Sequence, residues 1–269
     1  MIQAQSYPRD SFEVIVADNA SPEGEAAVTA AIAGRARLVT VRDRGAAPAR
    51  NGGVAAARGK ILAFTDCDCQ PSPDWLAEGI RALGMGAADF IGGRVDVLVD
   101  DPGRMTAAEA FESVFAFDNK SYVQRKGFTV TANLFCSRAL FEAVGGFRTG
   151  VSEDTEWCHR AIAAGYTIAY APAAVVGHPA RRTWDELIHK WRRINMESYA
   201  LFKGGRGGRL RWVARACALP ASAVAHTPRV LASPCLKSAG QRLATLAVLY
   251  RLRLWRMGDA LKLAAADRA

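Results

Sequence analysis

Two aspartates one residue apart, Asp66 and Asp68, follow an apolar run in "ILAFTDCDCQPSPDWL" (61–76). The run reads as a buried strand, and the acids stand at its carboxyl end. On an extended segment, residues i and i+2 point the same way. Two carboxylates aimed into one crevice repel each other unless a cation lies between them. Oxygen ligands of this kind suit a hard divalent ion, Mg²⁺ or Mn²⁺, which can hold a diphosphate. A turn is the plainer alternative, because Asp, Ser and Pro are ordinary residues after a strand. Cys67 and Cys69 interleave with the acids. A C-x-C without a second cysteine or histidine pair nearby is a weak signal for a soft metal, so the thiols are expected to be bystanders.

Other polar residues stand at similar places. Asp18 closes the apolar stretch in "FEVIVADNAS". Glu153 and Asp154 open a helix in "SEDTEW", where Ser152 as N-cap and acids in the first turn would suffice to explain them. His178 in "VVGHP" follows an extended run, and a lone histidine is more often structural than a ligand.

The elements that must position these residues alternate. Strands are expected at 12–17, in "ARLVTVRD", in "KILAFTD" and in "ADFIGGRVDVLV". Helices are expected at 23–33, in "APARNGGVAAARG" and from Pro73 to Met85. Strand–helix alternation argues for a parallel α/β sheet, and ligands of open α/β sheets bind beyond the carboxyl ends of the strands. Further on, "FTVTANLFC" reads as a strand and "YTIAYAPAAVVGH" as extended with a break at Pro172. Residues 183–202 read as an amphipathic helix, "KGGRGGR" as a flexible basic link, and 210–225 and 238–257 as apolar, arginine-studded segments.

The chain has 269 residues, half of them hydrophobic, enough for one large core or a domain with an appendage. Its net charge of +9 is uneven. Residues 179–269 hold 18 Lys+Arg against 5 Asp+Glu, and residues 1–178 hold 17 against 21. A basic tail of this kind suggests an anionic partner, a membrane surface or a nucleic acid, with a solvated basic face as the plain reading. No uncharged tail run approaches the roughly 18 residues of a membrane span. Six cysteines in no regular framework, with no signal peptide at the start, point to reduced thiols in the cytosol.

Taken in order, the motifs D-N-x-S, A-R-N-x-G, D-x-D, N-L-F, V-G-G-F, E-D and H-P resemble the family-2 glycosyltransferases of GT-A fold over residues 3 to 200. The resemblance implies a Rossmann-like, mixed but mostly parallel sheet flanked by helices. It implies an inverting transfer of a sugar from a nucleoside diphosphate, with uridine the expected base. Asp18 and Arg50 would contact the nucleotide base and Asp66 the ribose, and Asn133 would lie on the loop beneath the donor sugar. Asp68, with Asp66 and His178, would hold Mn²⁺ or Mg²⁺. Asp154 would be the catalytic base and Glu153 its neighbour at the acceptor. "HKWRR" (189–193) only partly matches the Q-x-x-R-W of processive members, which argues for a single transfer.

The division expected is a GT-A domain over 1–203 and a basic, apolar helical tail over 204–269 that meets a membrane or a protein. The expected setting is the cytoplasmic face of the cell membrane, with a saccharide or lipid-linked saccharide acceptor in surface polysaccharide or glycolipid assembly. Family members normally begin with a further strand inside the sheet. Here "MIQAQSYPRDSFEV" resembles the end of the helix after it, so an incomplete domain is expected. Three rivals remain. The first is an inactive relative serving as a binding or scaffold subunit. The second is a nucleic-acid binder, for which no aromatic-interleaved basic stripe exists. The third is a glycosidase with paired carboxylates, which has no need of a metal.

Overall fold

A computed structural model describes residues 2–86 and 88–267. In chain order the elements are β1 (Ile15–Asp18), α1 (Glu25–Ile32), β2 (Arg37–Thr40), α2 (Ala46–Ala56), β3 (Ile61–Phe64), β4 (Gln70–Pro71), α3 (Trp75–Gly84), β5 (Phe90–Leu98) and α4 (Ala107–Phe115). There follow α5 (Asn119–Ser121), β6 (Leu134–Ser137), α6 (Arg138–Val144), α7 (Glu153–Ala163), β7 (Ile168–Pro179), α8 (Trp184–Lys203), α9 (Gly208–Cys217), α10 (Leu219–Leu231) and α11 (Ala239–Ala266). They form two compact units. The first is Met1–Asp96, Asp118–Thr149 and Glu153–Gly177; the second is Val97–Phe117, Gly150–Ser152 and His178–Ala269. β7 runs unbroken from Ile168 to Pro179, through the boundary after Gly177.

The first unit holds two sheets. β1 and β2 pair in parallel, Ile15 opposite Arg37 and Asp18 opposite Thr40. The other sheet has the order β3-β6-β5-β7-β4, and its β3–β6, β5–β6 and β4–β7 ladders are antiparallel. β5 and β7 run parallel, with Phe90 N donating to Thr167 O and Ala180 N to Leu98 O, so the sheet is mixed, with a larger antiparallel share than strand–helix alternation suggests. The alternation ends with α3; β6 enters after a helical excursion and pairs against both β3 and β5. β1 has β2 as its only ladder partner and β3 has only β6, among the described residues.

Strand alternation gives this sheet two covered faces. Leu62, Phe90, Leu134 and Cys136 join Phe141, Phe147 and Trp157 in one cluster. Ile91 and Phe135, one residue out of phase, join Trp75, Leu76, Ala174 and Val176 in another. Helices come very close where glycine allows it. A Cβ on Gly79 of α3 would stand 2.3 Å from the Phe135 ring, and one on Gly52 of α2 would stand 2.5 Å from Val41. Pro172 does not break β7. Its outer neighbour β4 covers only Val176 and Gly177, so a missing N–H at Pro172 is tolerated on that flank.

The second unit is helical. Phe111 and Val114 of α4, Leu187 of α8, Val230 of α10 and Val248, Leu249 and Leu252 of α11 share one core. Tyr199, Trp212, Ala216, Ala260 and Ala264 form another. Segments 97–117 and 178–203 thus pack with the tail, where the sequence suggested a break near 203. Three of its helices begin with capping boxes, at Thr106/Glu109, Thr183/Glu186 and Ser238/Gln241. Each leaves two helix-end N–H groups satisfied. The region expected as one apolar segment at 210–225 spans two helices, α9 and α10, which meet at Ala218. "KGGRGGR" is a short turn, with Gly205 N donating to Phe202 O and Gly208 N to Gly205 O.

Candidate active site

Asp18 is the last residue of β1 and is 5% exposed. Its Oδ1 accepts from the backbone N and the hydroxyl of Ser21, which closes a tight turn over "DNAS". Ala20 at the tip lies in the left-handed region, at φ 58°, a conformation that costs a non-glycine residue of order 1 kcal/mol or more. Asn19, next in the chain, ties down the neighbouring loop. Its amide donates to Val41 O (3.1 Å) and Asp43 O, and its Oδ1 accepts from Gly45 N (2.5 Å). The turn that carries Asp18 and the N-terminus of α2 are therefore locked together.

Arg50 on α2 joins two of the expected site residues. Its Nη2 donates to Asp66 Oδ1 (2.7 Å) and its Nη1 to Glu153 Oε1 (2.5 Å). Burial works against its charge, but the two carboxylates more than offset this and raise its pKa. A guanidinium fork can serve two carboxylates at once; a lysine cannot do so in the same geometry. The sequence reading assigned Arg50 to the base, Asp66 to the ribose and Glu153 to the acceptor. It did not foresee that one ion-paired cluster would bring the three together. Asn51, beside Arg50, clamps the Phe147 backbone: its Nδ2 donates to Phe147 O (2.8 Å), and Phe147 N donates to its Oδ1 (2.9 Å). Arg160 and the Trp157 indole hold the same "VGGF" turn through Gly145 and Gly146 carbonyls. The A-R-N and V-G-G-F motifs are thus two halves of one joint.

Asn133 is 0% exposed, and its polar atoms are taken up by the fold. Nδ2 donates to Arg94 O (2.8 Å) and Ala174 O (2.9 Å), and Oδ1 accepts from Trp75 Nε1 (2.9 Å). It ties α3, β5 and β7 together beneath the loop, and both amide hydrogens are committed there. Asp154, on the first turn of α7 next to Glu153, accepts from Thr155 N (2.7 Å).

Asp68 is exposed and follows β3 by four residues. The antiparallel register of β4 with β7 sets Gln70 opposite Gly177, and one further step sets Cys69 opposite His178. Asp68, Cys69 and His178 accordingly form a group whose ligand atoms all lie within 4.8 Å of one another. The His178 Nδ1 lies 2.8 Å from Pro179 O. A carbonyl only accepts, so Nδ1 carries the proton and Nε2 is the basic nitrogen of the ring. The ring packs 4.5 Å from that of Phe117, which is itself held in the left-handed region at φ 53°. Carboxylate oxygen and imidazole nitrogen suit a divalent ion of the Mn²⁺ kind. The thiols suit it poorly. Burial, with Asp66 and Asp68 nearby, pushes Cys69 up to about 12, and Cys67 is also raised by burial and by the same acids. Asp66 lies outside the group, on Arg50.

A two-part α/β domain with acids at the carboxyl ends of β1 and β3 is the GT-A arrangement. Over 99% of its length the chain matches the mannosyltransferase PcManGT of Pyrobaculum calidifontis, solved with GDP-Man and Mn²⁺, at a TM-score of 0.58. The match covers 80% of that protein at 23% identity, and it shows the fold. Residues 2–147 match the family model described as "Glycosyl transferase family 2"; the chain belongs to this family. It is 32% identical over 199 residues to glycosyltransferase AglE of Haloferax volcanii, covering 72% of this chain and 64% of that protein. It is 29% identical over 150 residues to the pre-mycofactocin glycosyltransferase of Mycobacterium tuberculosis, covering 52% of this chain and 32% of that protein. The chain thus spans less than two thirds of the length of either relative.

Proposed function

We propose that this chain transfers a sugar from a nucleoside diphosphate, UDP the expected carrier, to a hydroxyl acceptor with inversion at the anomeric carbon. Asp18 and Arg50 contact the nucleoside, Asp66 the ribose, and Asp68 with His178 the diphosphate through a divalent ion, Mn²⁺ or Mg²⁺. When bound, the ion supplies charge stabilisation to the leaving diphosphate. Asp154 takes the proton from the acceptor hydroxyl as its oxygen attacks the anomeric carbon. The bond from that carbon to the diphosphate oxygen breaks on the opposite face, and the electron pair leaves with the diphosphate. Glu153, whose Oε1 accepts from Arg50, serves at the acceptor side. Asn133 contributes by fixing the loop under the donor. The acceptor class proposed is a saccharide or lipid-linked saccharide, handled at the inner face of a cell membrane during surface polysaccharide or glycolipid assembly.

The observation that carries this reading is the cluster of Arg50, Asp66 and Glu153, together with the Asp68–Cys69–His178 group that begins two residues further along the D-x-D segment. It puts acids from the D-x-D and E-D motifs onto one arginine. Calorimetry with UDP and with GDP, each with and without Mn²⁺, tests the donor half; a transfer assay with UDP- and GDP-sugars tests the rest. Metal-dependent binding with turnover supports the enzyme. Binding without turnover would favour the inactive binding subunit, and no nucleotide binding would overturn both.

A further inference from the structure

Leu243, Ala247, Tyr250 and Leu254 of α11 are all exposed, at spacings of four, three and four residues. That spacing draws one line down a helix. Leu243 is 68% exposed and Leu254 54%. The opposite side of the helix, through Thr245, Val248, Leu249 and Leu252, is buried in the unit's own core. The packing demand of α11 is therefore already met, and the stripe is an additional apolar face. α10 widens it. Thr227 Oγ1 lies 3.0 Å from the Tyr250 hydroxyl, and Leu231 O accepts from Arg242 Nε at 3.1 Å. Val224 and Leu231, both more than half exposed, lie along the Thr227 side of α10.

The stretch of chain that builds this patch carries charge of one sign. Residues 198–258 contain 11 Lys+Arg and no Asp or Glu. At about 100° per residue, Arg251 and Lys262 fall on one flank of the α11 stripe and Arg242 and Arg253 on the other. Leucines along the centre with arginines along both edges suit a helix lying in the headgroup layer. The leucines enter the acyl boundary while the long cationic side chains reach phosphates. A nucleic acid would satisfy the cations and leave the leucines in water. No helix among the described residues is long and apolar enough to cross a membrane.

We infer that the outer face of α10 and α11 is a docking surface for an anionic lipid bilayer, with Leu243 and Leu254 as its apolar anchors. This deepens the membrane part of the proposed function and does not depend on sugar transfer. The test uses the full chain with vesicles of phosphatidylcholine alone and of phosphatidylcholine mixed with phosphatidylglycerol. The parent is expected to co-sediment with the mixed vesicles and not with the neutral ones. Leu243→Gln with Leu254→Gln should weaken that binding on the order of 100-fold, about tenfold for each leucine. Arg242→Gln with Arg251→Gln should weaken it and flatten its salt dependence. UDP binding measured on each variant reports that the first unit is intact, and an unchanged helical circular dichroism spectrum reports that the second is. Equal binding of parent and leucine variant would overturn the proposal. So would a parent dimer that the leucine variant converts to monomer, or binding of DNA that survives the leucine change.

Discussion

Asp154 and Glu153 are chain neighbours with different surroundings. Glu153 faces Arg50, while Asp154 meets the backbone of its own helix turn. If Asp154 is the general base, Asp154→Asn should lower transfer by roughly 10²–10⁴-fold. UDP and Mn²⁺ affinity should hold, because the amide keeps the size of the carboxylate and can still accept from Thr155 N. A transfer assay paired with calorimetry on the same protein decides it, and turnover within a few-fold of the parent would remove the assignment. Asp68→Ala makes a complementary prediction. It should abolish the Mn²⁺-dependent part of UDP affinity and leave the melting temperature nearly unchanged, since Asp68 is exposed. Unchanged affinity in Mn²⁺ titrations would refute the metal role. Arg50→Lys should weaken nucleotide binding more than a conservative charge swap suggests, because one ammonium cannot satisfy both Asp66 and Glu153 in the geometry of the fork.

At the scale of elements, the second unit contains a buried ion cluster. Glu112 of α4, with its side chain 1% exposed, accepts from Lys190 Nζ of α8 (2.7 Å) and from Arg181 N (2.8 Å) and Nη1 (3.3 Å). Burial by itself would push the Glu112 carboxyl up; Lys190 and Arg181 reverse this and hold it below its ordinary range. Its folded pKa is depressed, so its contribution to stability is present at neutral pH and is lost as pH falls through the folded value. Lys190→Met should cost about 3–5 kcal/mol by leaving a buried carboxylate underpaired, and Glu112→Leu with Lys190→Met should restore most of it. Denaturant melts of the two variants check this; similar losses in both would show that packing, not charge, holds α4 to α8. Gly79→Val is the matching test in the first unit. It forces a side chain into the Phe135 ring and should lower stability by about 1–3 kcal/mol or more, read as a drop in melting temperature.

For the whole molecule, the expected boundary at 203/204 has a consequence. A chain ended at 203 keeps α4 and α8 and loses α10 and α11, which share their core. Phe111, Val114 and Leu187 would then face water. Such a truncated protein is expected to aggregate or bind a hydrophobic dye, and light scattering would show it. A soluble, monomeric 1–203 chain with the parent's UDP affinity would instead support the division read from composition. For this reason membrane binding is better probed by surface substitutions on α11 than by deletion of the tail.

Much of the site was legible before any fold was known, because its signals are local. Periodicity places the ends of β1 and β3, near which Asp18, Asp66 and Asp68 stand. The two acids of D-x-D were expected to point together from an extended segment, but a turn closed by Cys69 N on Asp66 O follows β3 and sends Asp66 to Arg50 while Asp68 stays exposed. Capping boxes, the proline at the start of α3 and the charge asymmetry are equally short-range. Other features depend on residues far apart in sequence. Arg50 meets Glu153 across 103 positions and Asp66 across 16, and Asn133 meets Trp75 across 58. No spacing rule encodes such distances. The antiparallel β6, the passage of 97–117 into the helical unit and the use of Asn133 as an interior tie followed from which faces had apolar surface to bury and which buried polar groups needed partners. The sequence by itself determined the chemical groups and the strand ends that carry them. The tertiary structure decided which groups share a charge, because hydrogen bonding and desolvation act between atoms brought together only when the chain has folded.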